Sequence, residues 1–136
     1  MGIEENRKLV LSFLDNISNG KHQACLDQMA DDCKWWLAGS FEGAGTMTKG
    51  DLVEGIKALE GSLVDGISLV ATGTVAEGDK VAAEVSAKGE TVRGAKYDNP
   101  HHFVFECKNG KLQNVREYID TLHFSETILP IFNDGK

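Results

Sequence analysis

Apolar residues in the first part of the chain recur at helical spacing. In the first segment, four of them fall on one helix face: Val10, Phe13, Leu14 and Ile17. The dipeptide Asn19-Gly20 is typical of the end of such a helix. A second, short helix is predicted through Cys25 and Met29, and it would end near residues 31–32.

The next stretch predicts a strand and a third helix. Residues 34–37 favour a short strand, and residues 39–45 favour a loop or a frayed edge strand. Thr48 and Asp51 have the spacing of a capping box, which is typical of a helix start. Behind this box, four apolar residues share one helix face, although Gly55 lies among them: Leu52, Val53, Ile56 and Leu59.

From Ile67 onward the pattern changes to the alternation that strands show. Residues 68–75 are rich in β-forming residues, and residues 81–87 alternate apolar with more polar side chains. Pro100 leaves a gap before the strand predicted at residues 101–105. We therefore expect consecutive strands joined mostly by hairpins.

The end of the chain completes the predicted sheet. Asn109-Gly110 is a strong hairpin signal and leads into a last strand at residues 112–120. A terminal helix is predicted from Leu122 to Phe132, interrupted by Pro130. Helices ahead of an antiparallel meander indicate an α+β fold with the helices on one sheet face, and we assign residues 1–136 to a single domain.

The charge balance narrows the classes of partner. A formal net charge of -7 disfavours nucleic acid and anionic membranes, since both attract clustered Lys and Arg. No apolar run approaches the roughly 20 residues that cross a bilayer. The N-terminal residues also lack the basic and apolar parts of a signal peptide. We expect a cytoplasmic protein.

Motifs for metals and cofactors are missing from the sequence. Cys25, Cys33 and Cys107 form no CxxC pair, so we expect free thiols. The adjacent His101 and His102 lack an acidic residue at ligand spacing, and no phosphate-binding or dinucleotide-binding motif occurs. We therefore expect no metal and no cofactor.

Several short motifs resemble one family. They are Ala30-Asp31-Asp32, Gly50, Asn109-Gly110-Lys111-Leu112 and Arg116-Glu117-Tyr118-Ile119-Asp120-Thr121. Over about residues 6–127 the chain resembles the SnoaL-like family of the ketosteroid isomerase and nuclear transport factor 2-like superfamily. The resemblance implies a cone-shaped, curved antiparallel sheet (a cystatin-like roll) with three helices on its concave face, and it allows a C-terminal helix. It also implies a homodimer paired through the sheet.

The resemblance permits a test of two activities, residue by residue. Ketosteroid isomerases use a Tyr, a general-base Asp and a protonated Asp, and the matching positions hold Phe13, Leu37 and His102. Phe13 has no hydroxyl group and Leu37 has no carboxyl group, so two of the three required groups are missing. The Arg-x-Asp of limonene epoxide hydrolase-like members falls at Val85 and Ala87. Neither steroid isomerisation nor epoxide hydrolysis by these residues is expected.

The catalytic hypothesis centres on Asp120, which corresponds to the acid/base Asp of SnoaL-like polyketide cyclases. A carboxylate in an apolar hollow is a stronger base, because desolvation disfavours its charge. Tyr118 would share its strand face, and His102 on the neighbouring strand could donate to an enolate oxygen. The alternative is that Asp120 only caps the helix that follows it.

Six side chains are candidates for binding a ligand in the same hollow: Phe13, Trp36, Asn99, His101, Phe103 and Tyr118. Adjacent strand residues face opposite sides, so at most one of His101 and His102 can line the hollow. The same argument applies to Trp35 and Trp36. Asn99 is also compatible with a turn over residues 97–100.

These features predict a pocket for a small apolar or carbonyl-containing molecule. The catalytic version is a cofactor-free isomerase, cyclase or dehydratase that uses a carboxylate as general base. The alternatives are non-catalytic binding of a small ligand, or a dimeric protein-interaction domain with an apolar outer sheet face.

Overall fold

The computed structural model describes residues 2–134. Within them it has five helices: α1 Ile3–Ser18, α2 His22–Asp27, α3 Lys49–Gly61, α4 Thr121–Thr127 and α5 Leu129–Phe132. The same residues form six strands: β1 Met29–Leu37, β2 Gly45–Thr48, β3 Leu63–Glu77, β4 Lys80–Thr91, β5 Lys96–Lys108 and β6 Lys111–Ile119. The α+β fold class is confirmed.

The six strands form one curved sheet in the order β2-β1-β6-β5-β4-β3. All neighbouring pairs are antiparallel except β1 and β6, which run parallel. The pairing shifts register within β3, between Ala71 and Gly73, and within β5, between Glu106 and Cys107. Such irregularities bend strands and increase their twist, so they help the sheet curl around the helices.

The predicted apolar face of α1 is confirmed, because Val10, Phe13, Leu14 and Ile17 are all buried. Phe13 packs against two aromatic rings of the inner sheet face, with centroids 5.8 Å from Trp35 and 6.2 Å from Phe105. This aromatic cluster fills the part of the sheet that α1 covers. The cavity described below lies beside it, where α3, α4 and α5 cover the sheet.

Strand β5 decides which side chains face inward. Its odd-numbered residues from Tyr97 to Cys107 are buried, whereas the even-numbered ones are exposed or partly exposed. Pro100 lies inside this strand, so the predicted gap there is wrong. Pro100 precedes His101, which is the first β5 residue that pairs with β6. Pro100 therefore has a partner strand on one side only and needs no N–H for the other.

Three other boundaries differ from expectation. Helix α2 ends at Asp27, because residues 29–32 belong to β1 rather than to the helix. An edge strand, β2, follows the loop after β1. The C-terminal helix divides at Ile128, and Pro130 lies in the first turn of α5, where its missing N–H costs nothing. The capping box of Thr48 and Asp51 is confirmed.

Candidate functional site

A cavity of about 280 Å³ lies between the inner sheet face and the helices α3, α4 and α5. Its wall is largely apolar, with Leu59 and Ile56 on α3 and Phe103 on β5 as examples. Among the described residues of this wall, four present polar groups from the sheet: Trp35, Tyr97, His101 and Glu117. The volume lies just below the roughly 300–1,000 Å³ typical of pockets for drug-sized ligands.

Strand pairing brings these polar side chains together. Glu117 is on β6, between β5 and β1, and it pairs with Phe103 on one side and Leu37 on the other. Side chains two residues away on the same face are diagonal neighbours. His101 on β5 and Trp35 on β1 occupy such diagonal positions, so both reach the Glu117 carboxylate.

A chain of polar contacts links the four residues. The Trp35 indole Nε1–H donates to Glu117 Oε1 at 2.8 Å. The second carboxylate oxygen, Oε2, lies 3.3 Å from His101 Nδ1, which is ion-pair distance, although the angle does not make a hydrogen bond. The other ring nitrogen, Nε2 of His101, lies 3.1 Å from the Tyr97 hydroxyl.

The Tyr97 phenol is a hydrogen-bond donor in this chain. Burial raises the pKa of Tyr97, and the nearby Glu117 carboxylate raises it further, so the phenol keeps its proton. Because Glu117 can only accept, we place the His101 proton on Nδ1, facing the carboxylate. His101 Nε2 then accepts from the Tyr97 hydroxyl. The result is a hydroxyl–imidazole–carboxylate arrangement inside an apolar wall.

One part of the cavity wall is made of aromatic rings. Phe41, on the loop between β1 and β2, packs against Phe124 of α4 with ring centroids 5.4 Å apart, and Phe124 contacts Phe132 of α5 at 6.1 Å. Gly39 allows this loop to fold back, since its φ is 126° and a Cβ there would lie 2.8 Å from the Phe41 ring. The predicted C-terminal helix therefore forms part of the cavity wall.

Four of the predicted site residues lie on the inner side of the sheet. His101 and Phe103 line the cavity, as expected. Phe13 is fully buried in the aromatic cluster under α1 and is not part of the cavity wall. Asn99 is buried and belongs to strand β5, so the turn interpretation is wrong. Its side-chain amide donates to the Asp120 carbonyl at 3.0 Å and accepts from the Asp120 N–H at 2.8 Å.

The other predicted residues lie on the outer face of the sheet. His102 and Tyr118 are cross-strand partners there, and Tyr118 is 40% exposed. Trp36 packs edge-on against Tyr118 at 5.6 Å and carries the Arg116 guanidinium 4.0 Å above its ring. The prediction that His102, Tyr118 and Trp36 face the cavity is therefore wrong. The inward-facing neighbours are His101, Glu117 and Trp35.

Asp120 also lies outside the cavity. It is exposed and borders an open groove on the outer face, together with His102 and Tyr118. Its carboxylate accepts from the His123 N–H at 3.1 Å as the N-cap of α4. The predicted dry environment of Asp120 is wrong, because the strand ends at Ile119 and the next residue turns outward into the helix. The helix cap that the alternative predicted for Asp120 is present.

Sequence reasoning missed Glu117 as a site residue, although a signal was present. Val115, Glu117 and Ile119 occupy alternate positions of β6, and their apolar neighbours place Glu117 on the inner face. Tyr97 entered the sequence analysis only as part of the possible turn over residues 97–100, and Trp35 only as the alternative to Trp36. The missed signal was a carboxylate flanked at both i±2 positions by β-branched apolar side chains.

The cysteines and possible ligand clusters add no second site. Cys25, Cys33 and Cys107 are free and buried, and burial is the main reason that each thiol has a pKa of about 11. Over residues 2–134, no group of three or more His, Cys, Asp and Glu side chains is arranged to hold a metal ion. None of the helices described there is long and apolar enough to cross a membrane.

Solved structures share this fold at low sequence identity. Bal32a, from a soil-derived mobile gene cassette, is 19% identical with a TM-score of 0.83, over 93% of this chain and 98% of that chain. An NTF2-like protein from Burkholderia xenovorans LB400 is 22% identical with a TM-score of 0.75, over 94% and 98%. TerC, co-crystallised with polyporic acid, is 19% identical with a TM-score of 0.79, over 92% and 98%. These likenesses show the fold alone.

Sequence comparison gives the family. A search of curated proteins finds no significant match. The family model described as a SnoaL-like domain matches residues 10–115, which is most of the chain. The chain therefore belongs to the SnoaL-like domain family, and the resemblance noted from its motifs is confirmed.

Proposed function

We propose that this protein is a cofactor-free enzyme that moves a proton next to the carbonyl group of a small, largely apolar molecule. The observation that carries the proposal is the buried chain of Tyr97, His101 and Glu117 within the apolar cavity wall. The isomerase and cyclase classes expected from the sequence use this kind of proton transfer. The sequence predicted a carboxylate, Asp120, as the general base; in this proposal the base is His101, and the Glu117 carboxylate positions it.

The base and the oxygen-binding group stand side by side. His101 Nε2 and the Tyr97 hydroxyl oxygen are 3.1 Å apart, so a ligand whose carbonyl oxygen binds Tyr97 has its α-carbon next to Nε2. A carbonyl oxygen that accepts from Tyr97 releases Nε2 to take the α-proton. The C–H electron pair then forms the C=C bond, and the carbonyl electrons move to an oxygen that Tyr97 stabilises.

Glu117 favours the tautomer of His101 that can act as a base. Its Oε2 lies 3.3 Å from Nδ1 of His101, and a carboxylate at that distance favours the tautomer with the ring proton on Nδ1, which leaves Nε2 free to accept. It also stabilises the imidazolium that forms when Nε2 takes a proton. Trp35 holds the other oxygen at 2.8 Å and so fixes the carboxylate's orientation.

Non-catalytic binding of a small ligand is the second candidate, and the mostly apolar wall supports it equally well. TerC, which was co-crystallised with polyporic acid, shows that a protein of this fold has been studied with a small organic molecule. A homodimer through the outer face remains a prediction, with Trp36, Tyr118 and Arg116 as the side chains available there. A cytoplasmic location also remains a prediction.

Exchange of the α-protons of 2-tetralone in D₂O, followed by proton NMR, tests the catalytic proposal. We expect the wild-type protein to accelerate the exchange, and Glu117→Gln to lower this acceleration by about 100-fold or more. An amide N–H facing Nδ1 would move the His101 proton to Nε2 and remove the basic lone pair. The matched control is Asp120→Asn, because Asn caps a helix as well as Asp does.

The outcomes separate the two candidate sites. Loss of exchange in Glu117→Gln with full exchange in Asp120→Asn supports the proposal. Loss in Asp120→Asn with exchange intact in Glu117→Gln would show that the outer groove is the active one. A wild-type protein that binds 2-tetralone, as seen by a raised melting temperature, but does not exchange its protons is a binding protein.

A further inference from the structure

Some polar groups of the cavity are already paired with protein atoms, and others are available for hydrogen bonds to a ligand. Glu117 Oε1 is occupied by the Trp35 indole, and Oε2 faces His101 Nδ1. The Tyr97 hydroxyl and His101 Nε2 contact each other, and the Asn99 side chain also interacts with the Tyr97 hydroxyl. A ligand that separates this last pair meets one donor and one acceptor, about 3 Å apart.

We propose that the natural ligand carries a carbonyl group and a hydroxyl group on adjacent carbons, with no charged group. This inference rests on the proposed function and names the substrate class for the same site. Before reaction, the carbonyl oxygen accepts from Tyr97 O–H and the neighbouring hydroxyl donates to His101 Nε2. The α-proton that Nε2 then removes is on the carbon that carries this hydroxyl, so Nε2 exchanges the O–H contact for the adjacent C–H. An α-hydroxy ketone therefore replaces the broken Tyr97–His101 hydrogen bond with two new ones.

The energetics of buried polar groups favour such a ligand. Tyr97 is 1% exposed and His101 is 7% exposed, so water cannot satisfy both groups once a ligand has separated them. A simple ketone satisfies the phenol but leaves Nε2 facing a C–H bond, and an unpaired buried acceptor weakens binding. A simple alcohol satisfies only one of the two groups at a time. A carbonyl and a hydroxyl group on adjacent carbons satisfy both the Tyr97 phenol and His101 Nε2.

The Tyr97 side chain is held in place by its neighbours, so it cannot easily move away from a ligand. The imidazole of His123 on α4 packs on the Tyr97 ring with centroids 5.5 Å apart. His123 Nε2 accepts from the Asp98 N–H at 3.1 Å, which holds α4 against β5 next to Tyr97. The donor and the acceptor are therefore fixed by the strand below them and the helix beside them.

The charge of the wall excludes anionic ligands. Among the described residues that line the cavity, the charged side chains are Glu117 and Glu42, and no Lys or Arg is among them. A carboxylate or phosphate would enter an apolar space next to the partly buried Glu117 carboxylate, and both the apolar surroundings and the like charge are unfavourable. The ligand is thus uncharged, and the volume of about 280 Å³ fits one or two rings.

Four compounds on one skeleton test the inference by calorimetric titration: 1-tetralone, 2-tetralol, 2-hydroxy-1-tetralone and tetralin-2-carboxylate. We expect 2-hydroxy-1-tetralone to bind at least about tenfold more tightly than the ketone or the alcohol, and the carboxylate to bind weakest. In Tyr97→Phe the preference for the hydroxy ketone over the alcohol should fall to about one. In Tyr118→Phe, the matched change on the outer face, it should be unchanged.

Equal affinities of the ketone, the alcohol and the hydroxy ketone would overturn the inference, as would tightest binding by the carboxylate. Absence of any binding would overturn it as well. A preference that survives in Tyr97→Phe would place the ligand elsewhere and has the same consequence. The function proposed above is judged separately by 2-tetralone exchange, which needs no hydroxyl group, so either idea can fail while the other stands.

Discussion

Substituting His101 with Gln is expected to slow the protein-catalysed exchange of 2-tetralone α-protons by about 100- to 10,000-fold, the usual range for removing a general base. Gln has a similar length and can still accept from Tyr97, but its amide has no basic nitrogen. Proton NMR in D₂O measures the effect directly. Because His101 is buried between Tyr97 and Glu117, the melting temperature of the variant must be measured alongside.

His102→Gln is the matched control for this experiment. The two residues are adjacent in β5, but His102 faces the outer side beside Tyr118. We expect exchange in this variant to stay within about twofold of wild type, since surface changes away from a site have small effects. Equal losses in both variants would point to a general disturbance of β5, and a loss confined to His102→Gln would contradict the assignment.

Replacing Phe13 with Ala is expected to destabilise the fold by about 3–5 kcal/mol, the usual cost of removing a buried Phe side chain. Phe13 is fully buried and contacts the Trp35 and Phe105 rings, so the loss leaves a cavity that α1 and the sheet cannot easily fill. Domains of this size have only about 5–15 kcal/mol of total stability, so the effect is large. Urea unfolding followed by circular dichroism measures it.

Leu11→Ala on the same helix provides the comparison. Leu11 is 40% exposed, and we expect a change of at most about 1 kcal/mol there. A small effect of Phe13→Ala, similar to that of Leu11→Ala, would show that Phe13 lies in open space. That result would return Phe13 to the ligand pocket, as the sequence alone suggested.

The fold was predictable because it depends on patterns that repeat. The apolar face of α1, the capping box at Thr48 and the hairpin at Asn109-Gly110 each act locally, and the structure contains all three. Boundaries failed where tertiary pairing overrode the local pattern. Pro100, for example, sits inside β5 because β6 does not extend to it.

The candidate site was harder to predict because it depends on whether the odd-numbered or the even-numbered residues of β5 and β6 face the cavity. The predicted site and the proposed site use the same strands, β5 and β6, and the same chemical types: a carboxylate, a histidine and a tyrosine. Asp120, His102 and Tyr118 were selected although they face outward, because the apolar residues on either side of Glu117 were not used to find the inner face of β6. A shift of one residue moves every side chain to the other face of a sheet.

The most direct test of the account is an NMR measurement of the histidine ring nitrogens in ¹⁵N-labelled protein, with His101→Gln and His102→Gln used for assignment. We predict that His101 carries its proton on Nδ1 and that adding 2-hydroxy-1-tetralone shifts the His101 Nε2 signal but not the His102 signals. A proton on His101 Nε2 in the free protein, or a ligand-induced shift confined to His102, would contradict the assignment of the Tyr97–His101–Glu117 chain as the working site.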